Sequence, residues 1–196
     1  MIRKFIATNL MILTLVISSC TQGRRVERID PNRQTDLSGR WNDTDAKMVA
    51  EEMTKDMTAR AWRENFQREK DRKPVIIIGL VKNKTSEHID EEVFIKNMER
   101  EFINQGTIRI VQGGEFREKL RDERADQQKY ASMDSQKKWG KELGADFMLT
   151  GVMTSITDQY GKEKTTFYQV NLELSDLETN EKVYIGEKKI KKYIAN

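Results

Sequence analysis

Apolar residues recur in the first part of the domain with the period of a helix. Val49, Met53 and Met57 are spaced by four residues, as on one face of a helix. Asn42 is a suitable N-cap for this helix, and the charged run that begins at Arg68 predicts its end. A methionine-rich stripe binds partners in some proteins, but it is more often a core face. We therefore interpret it as part of the core.

The next segment predicts a strand, a helix and a second strand. Residues 75–81, VIIIGLV, form a continuous apolar run that is typical of a central strand buried on both faces. A helix is predicted over residues 89–105, with Gly106 as its C-cap, and a short strand over residues 108–111. This order favours a parallel βαβ unit. The inward stripe of the helix is predicted to consist of Val93, Phe94, Met98 and Phe102.

The last third of the chain changes from helical to alternating periodicity. Two helices are predicted first, over residues 115–130 with Phe116 and Leu120 facing inward, and over residues 132–143. The strands that follow are predicted over residues 147–158, 165–177 and 182–194. Lysines at 188, 189, 191 and 192 are typical of a protected sheet edge. The elements together predict an α+β fold with a small mixed β-sheet and packed helices, preceded by a signal peptide and a flexible linker.

The first twenty residues have the pattern of a secretion signal. Two basic residues precede a mostly apolar stretch over residues 5–17. As a helix this stretch would be about 20 Å long, which is short of a bilayer core of about 30 Å. The following sequence, ISSC at residues 17–20, resembles a bacterial lipobox. Cys20 is therefore the predicted lipid attachment residue; an ordinary signal peptide with an incidental cysteine is the alternative.

These patterns divide the chain into three parts. Residues 1–19 are predicted to be a lipoprotein signal peptide, residues 20–41 the lipidated Cys and a flexible linker, and residues 42–196 a globular domain. Residue 21 is Thr rather than Asp, so the common retention signal is absent, and we expect the outer membrane, facing the periplasm. About 20 linker residues span at most ~70 Å when fully extended.

Composition excludes several classes of function. The chain has 35 Lys and Arg against 32 Asp and Glu, a near-balance that gives no general field for nucleic acid. One Cys and one His exclude a cysteine-rich metal site and any mechanism that needs two imidazoles. None of the common nucleophile, zinc or nucleotide motifs is present.

Candidate catalytic groups are correspondingly few. His88 follows a strand–loop junction where a general base can lie, but a lone histidine in a charged loop is more often structural. An Asp/Glu pair acting on glycan stays open, since spacing alone does not reject it. We predict a non-enzymatic protein with no catalytic residue, no cofactor and no metal.

Two segments resemble one known family. Residues 36–45, DLSGRWNDTD, resemble the first motif of the LpoB-type lipoproteins, which activate penicillin-binding proteins. Residues 73–79, KPVIIIG, and 83–89, NKTSEHI, resemble the first strand and loop of that family. The resemblance implies a fold like the N-terminal domain of TolB. It also implies a lipoprotein that binds a bifunctional penicillin-binding protein and stimulates peptidoglycan synthesis.

The first motif has two interpretations. Asn42 caps a helix with Asp45 at its third position, so Arg40 and Trp41 serve either packing or a partner surface. The alternative to an activator is a structural or secretion-associated envelope lipoprotein with a TolB-like domain and another partner, because fold alone does not determine function. Oligomeric state and cognate synthase are not specified by these patterns.

Overall fold

A five-stranded mixed sheet organises the chain. The computed structural model describes residues 26–132, 134 and 142–195. The helices in this part of the chain are α1 (Asp43–Thr58), α2 (Ala61–Lys70), α3 (Glu91–Gln105) and α4 (Gly114–Tyr130). The strands are β1 (Val75–Asn83), β2 (Arg109–Val111), β3 (Phe147–Tyr160), β4 (Glu163–Asp176) and β5 (Lys182–Ala195).

The strand order shows how the two halves of the sequence join. The sheet has the order β2-β1-β3-β4-β5. Strand β1 pairs in parallel with both β2 and β3, whereas β3, β4 and β5 pair antiparallel. The parallel pair on either side of α3 confirms the predicted strand–helix–strand unit. The α+β class with a small mixed sheet is confirmed.

The core lies between one face of the sheet and helices α1 and α3. The methionine stripe of α1 is buried, with Met53 at 3% exposure and Met57 at 0%. Alternate residues of β4 complete the core from the sheet side, because side chains of a strand point to opposite faces. The buried β4 side chains are Tyr168, Val170, Leu172 and Leu174. Helix α2 adds Trp62 and Phe66, whose rings contact Phe147 edge-on with centroids 5.2 and 5.3 Å apart.

The first helix is shorter than the sequence predicts. Helix α1 ends at Thr58 and a separate helix begins at Ala61. The Trp62 indole donates to the Met57 carbonyl at 2.9 Å, and Arg63 Nε donates to the Thr58 carbonyl at 2.8 Å. Side chains of α2 thus satisfy carbonyls at the end of α1, so the chain turns without leaving these buried groups unpaired.

Two apolar residues that the sequence predicts to be buried are exposed in the structure. Leu80 of β1 is 70% exposed, because the strand register shifts between Ile78 and Val81 and turns it away from the helices. Val93 is 48% exposed, since it lies beside the stripe at positions 94, 98 and 102 rather than within it.

Helix α4 confirms the predicted element but not its inward side chains. Phe116 is 51% exposed and Leu120 is 50% exposed, and α4 contains no buried residue. The Phe116 ring instead lies under the ammonium groups of Lys96 and Lys119. The helix predicted over residues 132–143 falls mainly on residues 133 and 135–141, which lie outside the described residues.

The folded unit begins earlier than the predicted domain boundary. The sheet and helices belong to a compact unit that starts at Gln34. Residues 34–41, called the strap below, belong to this unit, although the predicted linker extends to residue 41. The sequence conceals this, because the strap is held mainly by polar contacts and its one large aliphatic residue, Leu37, is 92% exposed. Flexibility of the linker before Gln34 stays a prediction.

Candidate functional site

The candidate site is built where the strap meets the first turn of α1. The Asn42 side chain accepts a hydrogen bond from the Asp45 amide at 3.1 Å, and the Asp45 carboxylate accepts one from the Asn42 amide at 2.9 Å. This reciprocal capping box satisfies two free donors of the helix. Asn42 Nδ2 also donates to Asp36 at 2.7 Å, so the cap fixes the strap as well as the helix.

Lys192 of β5 fastens the strap from the sheet side. Its ammonium lies 2.7 Å from Asp36 and 2.6 Å from Asp45, and it donates to the Arg40 carbonyl at 3.0 Å. The Lys192 side chain is 11% exposed. Burial works against its charged form, but hydrogen bonds to the two carboxylates outweigh burial and raise the pKa of Lys192 above 10.5.

The same contacts stabilise the ionised form of Asp36. Hydrogen bonds from Lys192, Gln34 and Asn42 lower the pKa of Asp36 from 3.8 to about 2. A close backbone approach adds to the attachment: Gly39 has a φ of +64°, and a side chain there would collide with Ile194. The strap is therefore a defined part of the domain and not a continuation of the linker.

Glu87 connects the strap to the loop after β1. One carboxylate oxygen accepts the Trp41 backbone N–H at 3.1 Å, and the other accepts the Tyr168 hydroxyl at 2.7 Å. The Trp41 ring packs edge-on against the Tyr168 ring, with centroids 5.6 Å apart. Burial, and then the hydrogen bond to Glu87, raises the pKa of Tyr168. The two segments that resemble the family thus meet at one carboxylate.

The loop itself is held rigid by its own polar groups. Asn83 Oδ1 accepts hydrogen bonds from the Thr85 amide at 2.9 Å and the Thr85 hydroxyl at 2.7 Å. Asn83 Nδ2 donates to the Glu87 carbonyl at 2.9 Å. The Ser86 amide donates to Ser155 Oγ on β3 at 3.3 Å. These bonds orient Glu87 before any partner arrives.

The predicted partner residues take different positions. Arg40 is exposed, and its guanidinium makes no ion pair with the described residues. Trp41 is half-buried against Tyr168, so packing is one of its roles. The sequence patterns assign no role to Glu87, and they place Lys192 only among the lysines of a protected sheet edge. The sequence did carry a signal for Lys192, because it lies eight residues after Tyr184 in β5 and alternate residues of a strand point to the same face. Lys192 therefore points toward the helices, as the buried Tyr184 does.

The other candidate residues are not brought together into a chemical site. His88 is exposed on the loop. Within the described ranges, no three His, Cys, Asp or Glu side chains are grouped closely enough to hold a metal ion. No helix in these ranges has the length and apolar character needed to span a membrane. Cys20 and the predicted signal peptide lie outside the described residues.

Comparison with known proteins defines the family. A sequence model of the peptidoglycan-synthase activator LpoB family matches residues 45–190. Because the match spans most of the chain, this chain belongs to the LpoB family. The description is that of an activator rather than of an enzyme. None of the curated proteins compared with the sequence matches it.

Solved structures give distant likenesses. The LpoB C-terminal domain from Escherichia coli is 13% identical, with a TM-score of 0.44; the alignment covers 74% of this chain and 98% of that one. The corresponding Salmonella enterica domain is 12% identical, with a TM-score of 0.42 and the same coverage, 74% and 98%. Lipoprotein GNA1162 from Neisseria meningitidis is 10% identical, with a TM-score of 0.39, over 62% of this chain and 84% of that one.

Proposed function

We propose that this chain is a lipid-anchored periplasmic activator that binds a bifunctional penicillin-binding protein and stimulates its peptidoglycan synthesis. The observation that carries the proposal is the family match over residues 45–190. The meeting of both family-like segments at Glu87 supports it, since a rigid surface built by those segments suits recognition of a protein partner.

The proposed anchor is Cys20, in the outer membrane. Two or more acyl chains on this residue give the stable attachment that a single chain does not provide. Because the unit that holds the sheet and helices begins at Gln34, the proposed tether comprises residues 21–33. Thirteen residues reach at most about 45 Å when fully extended. The domain therefore works close to its membrane, and an inner-membrane synthase has to extend far toward it.

The anchor has a direct test. Replacing the thiol in Cys20→Ala removes the acceptor of the lipid. We expect the variant to leave the outer-membrane fraction or to keep an uncleaved signal, while the domain stays folded. Mature-sized, detergent-extracted protein from Cys20→Ala cells would reject lipidation at this residue.

Activation without catalytic groups requires selective binding. A partner raises a synthase's rate when it binds the active conformation more tightly than the inactive one. A tenfold shift in that equilibrium needs about 1.4 kcal/mol of differential binding, which a modest interface supplies. The domain therefore has to contribute only surface and rigidity.

We include Arg40 and Trp41 in the docking surface. The exposed guanidinium of Arg40, which makes no ion pair in the described part of the chain, is available to a carboxylate of the partner. The indole of Trp41 holds that stretch of backbone in place. Arg40→Ala should weaken binding without unfolding the domain. Arg68→Ala, on the exposed side of α2, is the matched control and should bind as the wild type does.

The function is tested with purified components. A soluble chain beginning at Thr21 is added to its cognate synthase, and glycan polymerisation and peptide cross-linking are followed separately. We expect both rates to rise, and His88→Ala to retain the effect. Glycan cleavage by the domain alone, or loss of stimulation in folded His88→Ala, would favour an enzyme. Recovery of a secretion complex instead of a synthase by cross-linking in intact cells would favour the structural alternative.

A further inference from the structure

The tether brings one end of the domain close to the lipid. Gln34, the first residue of the unit that holds the sheet and helices, donates to Asp36 at 3.0 Å, and Asp36 contacts Lys192 near the end of β5. The proposed tether, residues 21–33, reaches at most about 45 Å and as a coil spans about 20 Å on average. A bilayer that holds the anchor therefore lies within this reach of the strap.

The sheet carries two exposed tyrosines at the end where the strap lies. Tyr160 ends β3 at the β3–β4 turn and is 90% exposed, and Tyr193 near the end of β5 is 64% exposed. The register places them near each other, because Glu163 pairs with both Tyr160 and Ala195. Two strand spacings, about 10 Å, separate Tyr160 from Ala195. The two tyrosines therefore belong to one end of the sheet.

Leu37 of the strap adds an apolar side chain to the same end. It is 92% exposed and lines a shallow depression together with Tyr193 and Ala195. The strap is held here by Lys192, so Leu37 has a defined place beside the tyrosines. We call Leu37, Tyr160 and Tyr193 the strap-end surface.

The rings of this surface differ from the other exposed aromatic rings of the domain. In the described part of the chain, four aromatic side chains are more than half exposed, and the two outside this surface are Phe116 and Tyr130. Their ring centroids lie 5.1 and 4.8 Å from the nearest lysine ammonium, which covers each ring by a cation–π contact. Among the same residues, no cation lies over either ring of the strap-end surface. These two rings are open to an external partner.

Charge in the turn at this end is balanced. The segment 158–164 carries two carboxylates and two ammonium groups, those of Asp158, Glu163, Lys162 and Lys164. A balanced surface with leucine and tyrosine side chains suits the headgroup layer of a bilayer, where tyrosine is enriched because its ring is apolar and its hydroxyl is polar. Contact with a bilayer should therefore depend on the apolar side chains and little on the charge of the lipid.

We propose that the strap-end surface rests on the bilayer that carries the lipid anchor, with the leucine and both tyrosines at the level of the headgroups. This inference rests on the proposed function, because it requires the anchor at Cys20. Three side chains bind a bilayer weakly by themselves, but the short tether keeps them at a high effective concentration. Trp41 packs against Tyr168, which points to the opposite face of the sheet, so that side of the domain stays free for the synthase.

The test uses the full lipidated chain in phosphatidylcholine vesicles that contain a lipid with a nitroxide on its headgroup. Lipidation blocks the one native cysteine, so a single added cysteine takes a fluorophore, either Lys162→Cys at the strap end or Glu178→Cys at the other end of the sheet. The label at residue 162 should be quenched at least threefold more than the label at residue 178.

A combined variant separates contact from the effect of the tether alone. Leu37→Ser, Tyr160→Ser and Tyr193→Ser together leave the tether unchanged and should at least halve the ratio of quenching. Ile185→Ser is the matched control, because Ile185 is 65% exposed near the other end of β5. It should leave the ratio as it is in the wild type.

The outcomes distinguish this contact from the proposed function. If the chain stays in the vesicles and stimulates the synthase, but the combined variant keeps the full ratio, the contact is wrong and the function stands. If the chain is not lipidated and leaves the vesicles, the anchor and the contact fail together. Quenching that needs added phosphatidylglycerol and disappears in high salt would overturn the apolar contact in favour of charge attraction. Should the combined variant not fold, Tyr160→Ser alone, beside an exposed turn, should still lower the ratio.

Discussion

Replacing Lys192 by methionine tests whether the strap is part of the stable domain. Methionine keeps most of the aliphatic stem but removes the ammonium that contacts Asp36 and Asp45 at 2.7 and 2.6 Å. The Asp45 side chain, 7% exposed, then keeps its bond from the Asn42 amide but loses its counter-charge. The first turn of α1 and the strap should both loosen.

The expected magnitude follows from the burial of the two ion pairs. Removing one partner of a buried pair costs about 3–5 kcal/mol, whereas an exposed pair contributes about 0–1 kcal/mol. The Asp45 contact is close to the first case, but the Asp36 side chain is 39% exposed and is screened by water. We therefore expect Lys192→Met to lower the free energy of unfolding by about 2–3 kcal/mol, between these limits.

Urea unfolding of the soluble chain, followed by tryptophan fluorescence, measures this loss. Lys191→Met is the matched control, because Lys191 is exposed and lacks an ion pair in the described residues. It should change stability by less than about 0.5 kcal/mol. A loss of similar size in both variants, or of less than about 0.5 kcal/mol in Lys192→Met, would refute the reasoning.

Wild type and Lys192→Met should also differ in how their free energy of unfolding depends on pH. The pKa of Asp36 is about 2 in the folded chain and 3.8 by reference, so its contribution is present above pH 3.8. It is lost as the pH falls through 2, where the carboxyl is protonated in the folded state as well. The difference in stability between wild type and Lys192→Met should therefore shrink between pH 4 and pH 2. A difference that stays constant over this window would contradict the assignment.

Three further substitutions test the core and the site. Met53→Ala should lower the free energy of unfolding by about 2–5 kcal/mol through the cavity it leaves in the core, measured by urea unfolding. Gly151→Ala should lower the free energy of unfolding by about 1–3 kcal/mol, because its methyl carbon would lie 2.9 Å from a backbone oxygen. Gly144→Ala is the control: its methyl group meets nothing within 4 Å, so stability should not change. Glu87→Gln should lower the free energy of unfolding by about 1–2 kcal/mol. It should also lower the pKa of Tyr168, because the carboxylate that favours the neutral phenol is gone. Ultraviolet titration of tyrosine measures this change, and an unaltered titration would argue against the contact.

Local rules account for the elements that the sequence predicts correctly. Asp90 accepts from the Glu92 amide at the start of α3, and Gly106 ends that helix with a φ of +63°. Both effects depend on neighbouring residues only, so they are visible in the sequence. The alternation around Val170 likewise identifies the inner face of β4 without knowledge of its partners. The family resemblance rests on segments of the same local kind.

Contacts between distant residues decide what the sequence leaves open. Trp41 meets Glu87 and Tyr168 only because the sheet brings the loop after β1 beside Ser155 of β3, the residue that pairs with Tyr168 in the middle of β4. The strap resembles a linker in composition, yet Lys192 fastens it across more than 150 residues of chain. Whether a side chain fastens the strap or faces solvent depends on what the fold brings opposite it. Burial and long-range pairing, which no local pattern contains, therefore determined the site.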